Sequence, residues 1–307
     1  MQDERPSEET LKQAGENAII EHLTKHLHYG DDVVAGPGDD CAVIQQSEDR
    51  FQLLKTDSVI EQVHFLPNSD PEKIGWKAAA RVVSDFAAMG GGQPQNALIT
   101  LISPGDRRLD WARNIYRGLE RCAQQFEFSI VGGETSQSPA EAPIAIITVA
   151  MSGEIENKRC VFRSGARIGD AIYVTGRLGG SISGKHLQFI PRLREAGWLT
   201  RQFSGAIHAM MDLSDGLAKD LPRLATASKV GFRIDRDQIP CNEHCTVEQA
   251  LRDGEDYELL FTADPDANLE TDWKNEFPDL PLTQIGRITD SSESENLTGG
   301  WDPFEKD

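Results

Sequence analysis

The chain has 307 residues, and its 50 acidic and 31 basic side chains give a formal net charge of −19. This length and a hydrophobic content of 38% predict about two folded domains with a sizeable core. The negative charge argues against a nucleic-acid or membrane partner, because Lys and Arg supply most of the affinity for phosphate-rich surfaces. An anionic substrate would therefore need metal cations between it and the protein.

Helical and strand-like segments alternate through the first half of the chain. The helices are predicted at residues 11–27, 71–89 and 109–126, and the strands at 41–44, 51–56, 96–102, 129–131 and 143–152. Pro71 suits a first helical turn, and three glycines from Gly90 end the same helix. The Gly132-Gly133 pair follows a strand and is expected to form a loop.

The second half repeats this mixture of elements. A polar stretch from residue 153 to 159 indicates a domain boundary, so we assign residues 1–152 and 153–307 to two domains. Strands are predicted at 171–175, 232–234, 258–262 and 284–288, and helices near 185–195 and after Ser214-Asp215. The fold class is therefore α/β (α+β type), with mixed sheets and packed helices in each half.

Cysteine usage and the chain start indicate the compartment. Five scattered cysteines without a C-x-x-C pair argue against a disulfide framework. Cys241 and Cys245 flank His244, but no second Cys/His pair stands at zinc-ligand spacing. No signal-peptide pattern and no apolar run of ~18–20 residues is present, so we expect a cytoplasmic protein.

Several carboxylates lie beside glycines or at the ends of predicted elements. They are Asp39, Asp40, Asp57, Asp85, Glu134, Asp212 and Asp215. Any one could be a turn or N-cap residue, as Ser214-Asp215 suggests for Asp215. Asp85 differs because it lies inside an apolar helix, where a carboxylate must be paired or metal-bound. Together they predict a site for hard divalent cations such as magnesium.

A second candidate for phosphate binding is weaker. The segment from Gly179 to Lys185 fits G-x-x-x-x-G-K, but His186 stands where a P-loop needs a Ser or Thr hydroxyl. We interpret this segment as a glycine-rich turn whose backbone amides could still approach a phosphate. Motifs of serine hydrolases, zinc peptidases and nicotinamide enzymes are absent from the sequence.

Six motifs resemble the thiamine-monophosphate kinases in order and spacing, from about residue 15 to Phe304. They lie at residues 38–44, 55–65, 83–90, 163–166, 211–217 and 254–260. The combination of Asp-x-Ser-Asp-Gly-Leu with Gly-Glu-Asp-Tyr-Glu-Leu is the most specific. The resemblance implies the two-domain fold of the aminoimidazole ribonucleotide synthetase-like superfamily, with amino-terminal domains that pair into a homodimer.

The resemblance also implies the reaction and its residues. The expected activity is ATP-dependent phosphorylation of thiamine monophosphate to thiamine diphosphate, by direct in-line transfer with several magnesium ions. Magnesium would be held by Asp40, Thr56, Asp57, Asp85, Glu134, Asp212 and Asp215. Of these, the expected catalytic residues are Asp57, Asp85 and Asp212. ATP would contact Gly133, Glu134, Arg163 and Ser214. The thiamine side would be lined by His64, Glu255 and Phe304.

Three positions depart from the family pattern. Glu134 stands where an aspartate is usual, Lys55 replaces a small hydroxyl residue, and Gln62 replaces a glycine. If the Lys55 ammonium enters the site, it could stand in for one cation. Two alternatives stay open, namely another ATP-using member of the superfamily, such as a phosphate-activating synthetase, and a non-catalytic nucleotide-binding protein.

Overall fold

The computed structural model describes residues 10–304, which form two sheets with helices packed on them. The elements of the first half are α1 Leu11–Thr24, β1 Val33–Ala35, β2 Ala42–Gln45, β3 Arg50–Ile60, α2 Pro71–Ala88, β4 Gln93–Ser103, α3 Leu109–Phe126, β5 Ser129–Gln137 and β6 Ile146–Glu156. The strand order is β1-β2-β3-β6-β4-β5, and only β4 and β5 pair in parallel.

The two faces of this first sheet differ. Alternate residues of β3, β4 and β6 point to a buried core against α2 and α3, as Leu53 and Ile99 do. The residues between them point to the other face, where the apolar side chains of Leu54, Leu98 and Val131 are 40%, 51% and 58% exposed. We call this second surface the open face.

The second sheet is covered on both faces. Its elements are β7 Ala171–Thr175, α4 Leu193–Gln202, β8 Ile207–Asp212, α5 Leu217–Ser228, β9 Gly231–Ile234, α6 Val247–Arg252, β10 Leu259–Ala263, α7 Leu269–Glu276 and β11 Leu282–Thr289. The order β8-β10-β7-β11-β9 is antiparallel throughout. Ile172 belongs to the core shared with Leu221 of α5, whereas Tyr173 belongs to the core shared with Leu199 of α4 and Trp273 of α7.

Helix α2 joins the two halves. Asp70 caps it, Pro71 opens it, and 14 of its 18 residues are buried. It packs closely on α3, because a Cβ at Gly75 would overlap the carbonyl oxygen of Ile115. Its far end contacts α4 of the second half. The polar side chains of α2 are therefore delivered to the junction between the halves.

The fold class predicted from the sequence is confirmed, with two local differences. The helix expected near 185–195 is wrong, because Pro191 interrupts it, leaving a short turn at Lys185–Leu187 and α4 from Leu193. The pair Gly132-Gly133 lies inside β5 and not in a loop. The domain boundary at residue 152 stays a prediction, and β6 runs across it to Glu156.

Among the described residues, no helix is both long and apolar enough to cross a membrane. The cytoplasmic location stays a prediction.

Candidate active site

Three buried carboxylates meet at the junction of the two halves. Asp40 precedes β2, Asp85 lies in the last turns of α2, and Asp212 ends β8. One oxygen of each carboxylate lies within 4.8 Å of the others, and all three residues are buried. The structure therefore brings together three predicted magnesium ligands from distant parts of the chain, and we call them the acidic cluster.

Each carboxylate of the acidic cluster has a hydrogen-bond donor. Arg163 donates to Asp40 through Nη2 at 2.6 Å and through Nε at 3.2 Å. Lys55 Nζ donates to Asp85 Oδ1 at 2.7 Å, and Ser84 Oγ donates to Asp212 Oδ2 at 2.5 Å. Two cationic side chains thus face three carboxylates.

The protonation equilibria reflect this imbalance. Burial raises the pKa of Asp212 to about 6, with Asp40 adding to the effect. Burial also raises the pKa of Asp85, although Lys55 opposes the shift. The pKa of Lys55 is raised, because its attraction to Asp85 and Asp57 outweighs the cost of burial. An oxygen-only donor set that is short of positive charge fits magnesium, which prefers carboxylate oxygens.

Asp57 lies beside the acidic cluster but has its own partner. Arg81 Nη2 of α2 lies 3.0 Å from Asp57 Oδ2, and Arg81 Nη1 also donates to the Ser58 carbonyl at 2.9 Å. Asp57 is not among the three carboxylates that lie within 4.8 Å of one another. Thr56 precedes it on β3, so its side chain points to the open face, and it is exposed.

Glu134 also lies on the open face. It pairs with Thr100 across β5 and β4, Thr100 pairs with Thr148 of β6, and Thr148 pairs with Ser58 of β3. Three strand spacings of ~4.8 Å put Glu134 about 14 Å from Ser58 along the sheet. Within one chain, the structure does not bring Glu134 to the acidic cluster.

The other predicted nucleotide contacts lie in different halves of the molecule. Gly133 is locked into β5, because a Cβ there would overlap the carbonyl oxygen of Ile99. Ser214 and Asp215 follow β8 and face an adjacent cleft. The Asp215 carboxylate pairs with Arg223, so it is a neighbour of the acidic cluster and not a member.

The cleft beside Ser214 has a volume of about 350 Å³ and contains two of the predicted thiamine contacts. His64 Nδ1 accepts a hydrogen bond from the Ile60 amide at 3.0 Å, and the His64 ring lies edge-on to Trp301 at 5.7 Å. Burial, with Arg81 nearby, lowers the pKa of His64 to about 4. His64 is therefore neutral near pH 7, with its proton on Nε2.

Glu255 is held in this cleft by residues that the sequence analysis missed. Lys77 Nζ donates to Glu255 Oε2 at 2.6 Å, and His186 Nδ1 lies 2.8 Å from the same oxygen. Despite burial, the hydrogen bond from His186 and the charge of Lys77 lower the pKa of Glu255 to about 2. Lys77 could have been found by the same argument as Asp85, because it too is a charged residue inside an apolar helix. His186 carried no such signal.

Phe304 lies at the end of the described residues, partly buried, and its amide donates to Asp302 Oδ1 at 2.9 Å. Trp301, three residues earlier, lines the cleft and contacts His64. An aromatic side chain from the carboxy-terminal segment therefore lies beside His64, but it is that of Trp301 and not that of Phe304.

Comparisons with known proteins agree with this architecture. The AIR synthase related protein N-terminal domain matches residues 38–155, and the corresponding C-terminal domain matches residues 167–296. A thiamine-monophosphate kinase of Rhodopirellula baltica is 34% identical over 294 residues, covering 89% of either chain. The enzyme of that name from Aquifex aeolicus is 34% identical over 304 residues, covering 91% of this chain and 92% of the relative.

A solved structure shows the same arrangement of domains. AaThiL complexed with AMPPCP and TMP gives a TM-score of 0.81 at 30% identity, covering 97% of this chain and 100% of that chain. The family resemblance expected from the six motifs is confirmed.

Proposed function

This chain belongs to the thiamine-monophosphate kinase family, and we propose that it transfers the γ-phosphoryl group of ATP to thiamine monophosphate, giving thiamine diphosphate and ADP. The observation that carries the proposal is the position of the acidic cluster beside the cleft. The segment from Asp212 to Asp215 links them, since Asp212 belongs to the cluster while Ser214 and Asp215 line the cleft. The acidic cluster can therefore bind phosphates through metal ions, and the cleft can bind an organic cation. We call these the phosphate end and the thiamine end of the site.

The acidic cluster supports the phosphate end. Asp40, Asp85 and Asp212 would hold magnesium, which when bound neutralises phosphate charge and stabilises the transition state of phosphoryl transfer. The acceptor phosphate has a second pKa of ~6, so it is already an oxyanion near neutral pH and needs no strong general base. Arg163, Lys55 and Ser84 keep the three carboxylates in place through their hydrogen bonds.

The cleft supports the thiamine end. The thiazolium ring of thiamine carries a permanent positive charge, and Glu255 keeps its negative charge at neutral pH because its pKa is lowered to about 2. Trp301 and Tyr257 line the same space and offer aromatic surface to a cation. The neutral His64 supplies a hydrogen-bond donor at Nε2 without adding a repelling charge.

The product assay tests this function. Incubation with ATP, magnesium and thiamine monophosphate is expected to give thiamine diphosphate and ADP in equal amounts. Magnesium-dependent ADP release that yields no thiamine diphosphate would favour a phosphate-activating synthetase. ATP binding without turnover would favour a nucleotide-binding protein, and either result overturns the proposal.

We also propose that transfer is direct and in line. ATP made chiral at the γ-phosphorus is expected to give thiamine diphosphate with inverted configuration, because a single displacement inverts the phosphorus. Net retention would indicate a phosphorylated enzyme and would contradict direct transfer.

We further propose a homodimer formed through the open face. Leu54, Leu98 and Val131 line a groove of about 450 Å³ on this face, and a second copy would cover them. Thr56 and Glu134 lie on the same face, so any metal contact they make would depend on the dimer. Leu98→Glu is expected to halve the mass measured by light scattering. An unchanged mass, or a monomeric wild type, would contradict the dimer.

A further inference from the structure

Lys55 is placed in the acidic cluster by the sheet itself. It lies in the middle of β3, paired with Met151 of β6, and its side chain points to the helix-covered face between the buried Leu53 and Asp57. Its ammonium lies 2.7 Å from Asp85 Oδ1, and its side chain is 24% exposed. The positive charge of Lys55 therefore neutralises a carboxylate that is a candidate metal ligand.

The charges around this position can be counted. The three carboxylates of the acidic cluster face Arg163 and Lys55, so one negative charge is left over. Asp57, the next carboxylate along, is balanced by Arg81. Without Lys55 the excess would be two negative charges, and buried carboxylates require cations of some kind to remain ionised.

Geometry limits what else can occupy Asp85. The hydrogen bond from Lys55 places a positive charge 2.7 Å from Oδ1, and a magnesium ion would have to lie ~2.0–2.1 Å from the same oxygen. Oδ2 is left for one metal ion, whereas a second ion at Oδ1 would be repelled by the ammonium at close range. Lys55 and a divalent ion therefore compete for the same oxygen.

We propose that Lys55 is a resident cation of the acidic cluster, which takes the place of one divalent ion at Asp85. The inference rests on the proposed function, because it assumes that the cluster holds metal. It follows that a chain with a neutral residue at position 55 binds one more divalent ion per active site than the wild type does.

Counting manganese tests the inference without measuring catalysis. The wild type and Lys55→Thr are titrated with Mn²⁺ in the presence of a non-hydrolysable ATP analogue, and free Mn²⁺ is followed by its electron paramagnetic resonance signal. Lys55→Thr is expected to bind one more Mn²⁺ per chain than the wild type. Lys55→Arg keeps the charge and is expected to match the wild type.

The matched control is Lys158→Thr, which removes a lysine whose side chain is 77% exposed and pairs with Glu156 away from the cluster. Its Mn²⁺ count is expected to equal that of the wild type. Lys55→Thr is also expected to melt at a lower temperature in a chelator and to recover on adding Mn²⁺. If it does not fold even with Mn²⁺, Lys55→Gln replaces it in the count.

Equal Mn²⁺ counts for the wild type and the neutral variant would overturn the inference. Failure of the proposed function looks different, since it would show as absence of thiamine diphosphate in the product assay. Equal counts in a protein that makes thiamine diphosphate reject only the role of Lys55. A count that differs by one in a protein that makes no product rejects only the kinase activity.

Discussion

The acidic cluster and the Glu255 network are both buried groups of charges, but their balance differs. In the cluster, three carboxylates face two cationic side chains. In the cleft, the carboxylate of Glu255 faces Lys77, with His186 on the same oxygen. Helix α2 supplies Asp85 to one group and Lys77 to the other.

The pKa shifts follow from this difference. Burial raises the pKa of Asp212 to about 6, whereas its partners lower the pKa of Glu255 to about 2. The cluster is thus incomplete without cations from outside the chain, and the cleft network is complete within it. Magnesium should therefore stabilise the protein through the acidic cluster. The Glu255 network should contribute to folding stability whether or not magnesium is present.

The largest expected effect belongs to Asp85→Asn. The variant should lose roughly 10²–10³-fold in kcat, the scale for removing one group that stabilises developing charge. It should remain folded, because the asparagine oxygen can still accept the hydrogen bond from Lys55. Steady-state kinetics and thermal melting check both parts. Wild-type turnover would remove Asp85 from the metal ligands.

Lys77→Met should affect folding in the way that Asp85→Asn should not. It leaves Glu255, whose side chain is 20% exposed, with only His186 on its carboxylate, which should cost about 1–3 kcal/mol of unfolding free energy. Urea denaturation measures the loss. Lys73→Met is the matched control, since Lys73 lies on the same helix but is only partly buried. Equal stability of the two variants would show that the Glu255 network is not needed for folding.

Magnesium should stabilise the wild type against unfolding by about 2.7 kcal/mol at a concentration 100 times its dissociation constant. The gain should be much reduced in Asp85→Asn and preserved in Lys77→Met, although the latter is less stable overall. Melting curves with magnesium or a chelator give the comparison. The same magnesium gain in both variants would place the ion outside the acidic cluster.

His64→Gln should change how stability depends on pH. The pKa of His64 is lowered from 6.5 to about 4, so the unfolded chain binds the extra proton between these values and wild-type stability falls as pH drops through this range. At 1.36 kcal/mol per pKa unit, lowering the pH from 7 to 5 should cost the wild type about 2 kcal/mol more than the variant. Parallel stability profiles would contradict a neutral His64.

The fold was largely predictable because local sequence patterns determine most of its helices and strands. The periodicity of α3 and the proline and glycines that bound α2 have direct physical meaning. The helix predicted near 185–195 is wrong because Pro191 cannot continue a helix, although the apolar residues on either side of it favour one. The position of Gly133 inside β5 depends on its close approach to Ile99, which no local pattern reveals.

The residues of the site were easier to predict from the sequence than which of them lie together in the structure. Asp40, Asp85 and Asp212 could be recognised from their motifs, but their meeting depends on tertiary contacts between the halves. Glu134 was expected beside them, and the strand register instead puts it on the open face of its own chain. Sequence spacing cannot show which face of a sheet a residue occupies when a bulge shifts the register, as it does between β4 and β5.

We expect the acidic cluster to bind metal and phosphates while the cleft binds thiamine. A crystal structure with a non-hydrolysable ATP analogue, magnesium and thiamine monophosphate tests this expectation most directly. Magnesium is expected at ~2.0–2.1 Å from oxygens of Asp85 and Asp212, bridging to the phosphates. The thiazolium ring is expected in the cleft between His64 and Trp301. Phosphates and metal lying outside the acidic cluster, with its carboxylates still paired only to Lys55, Arg163 and Ser84, would contradict this assignment.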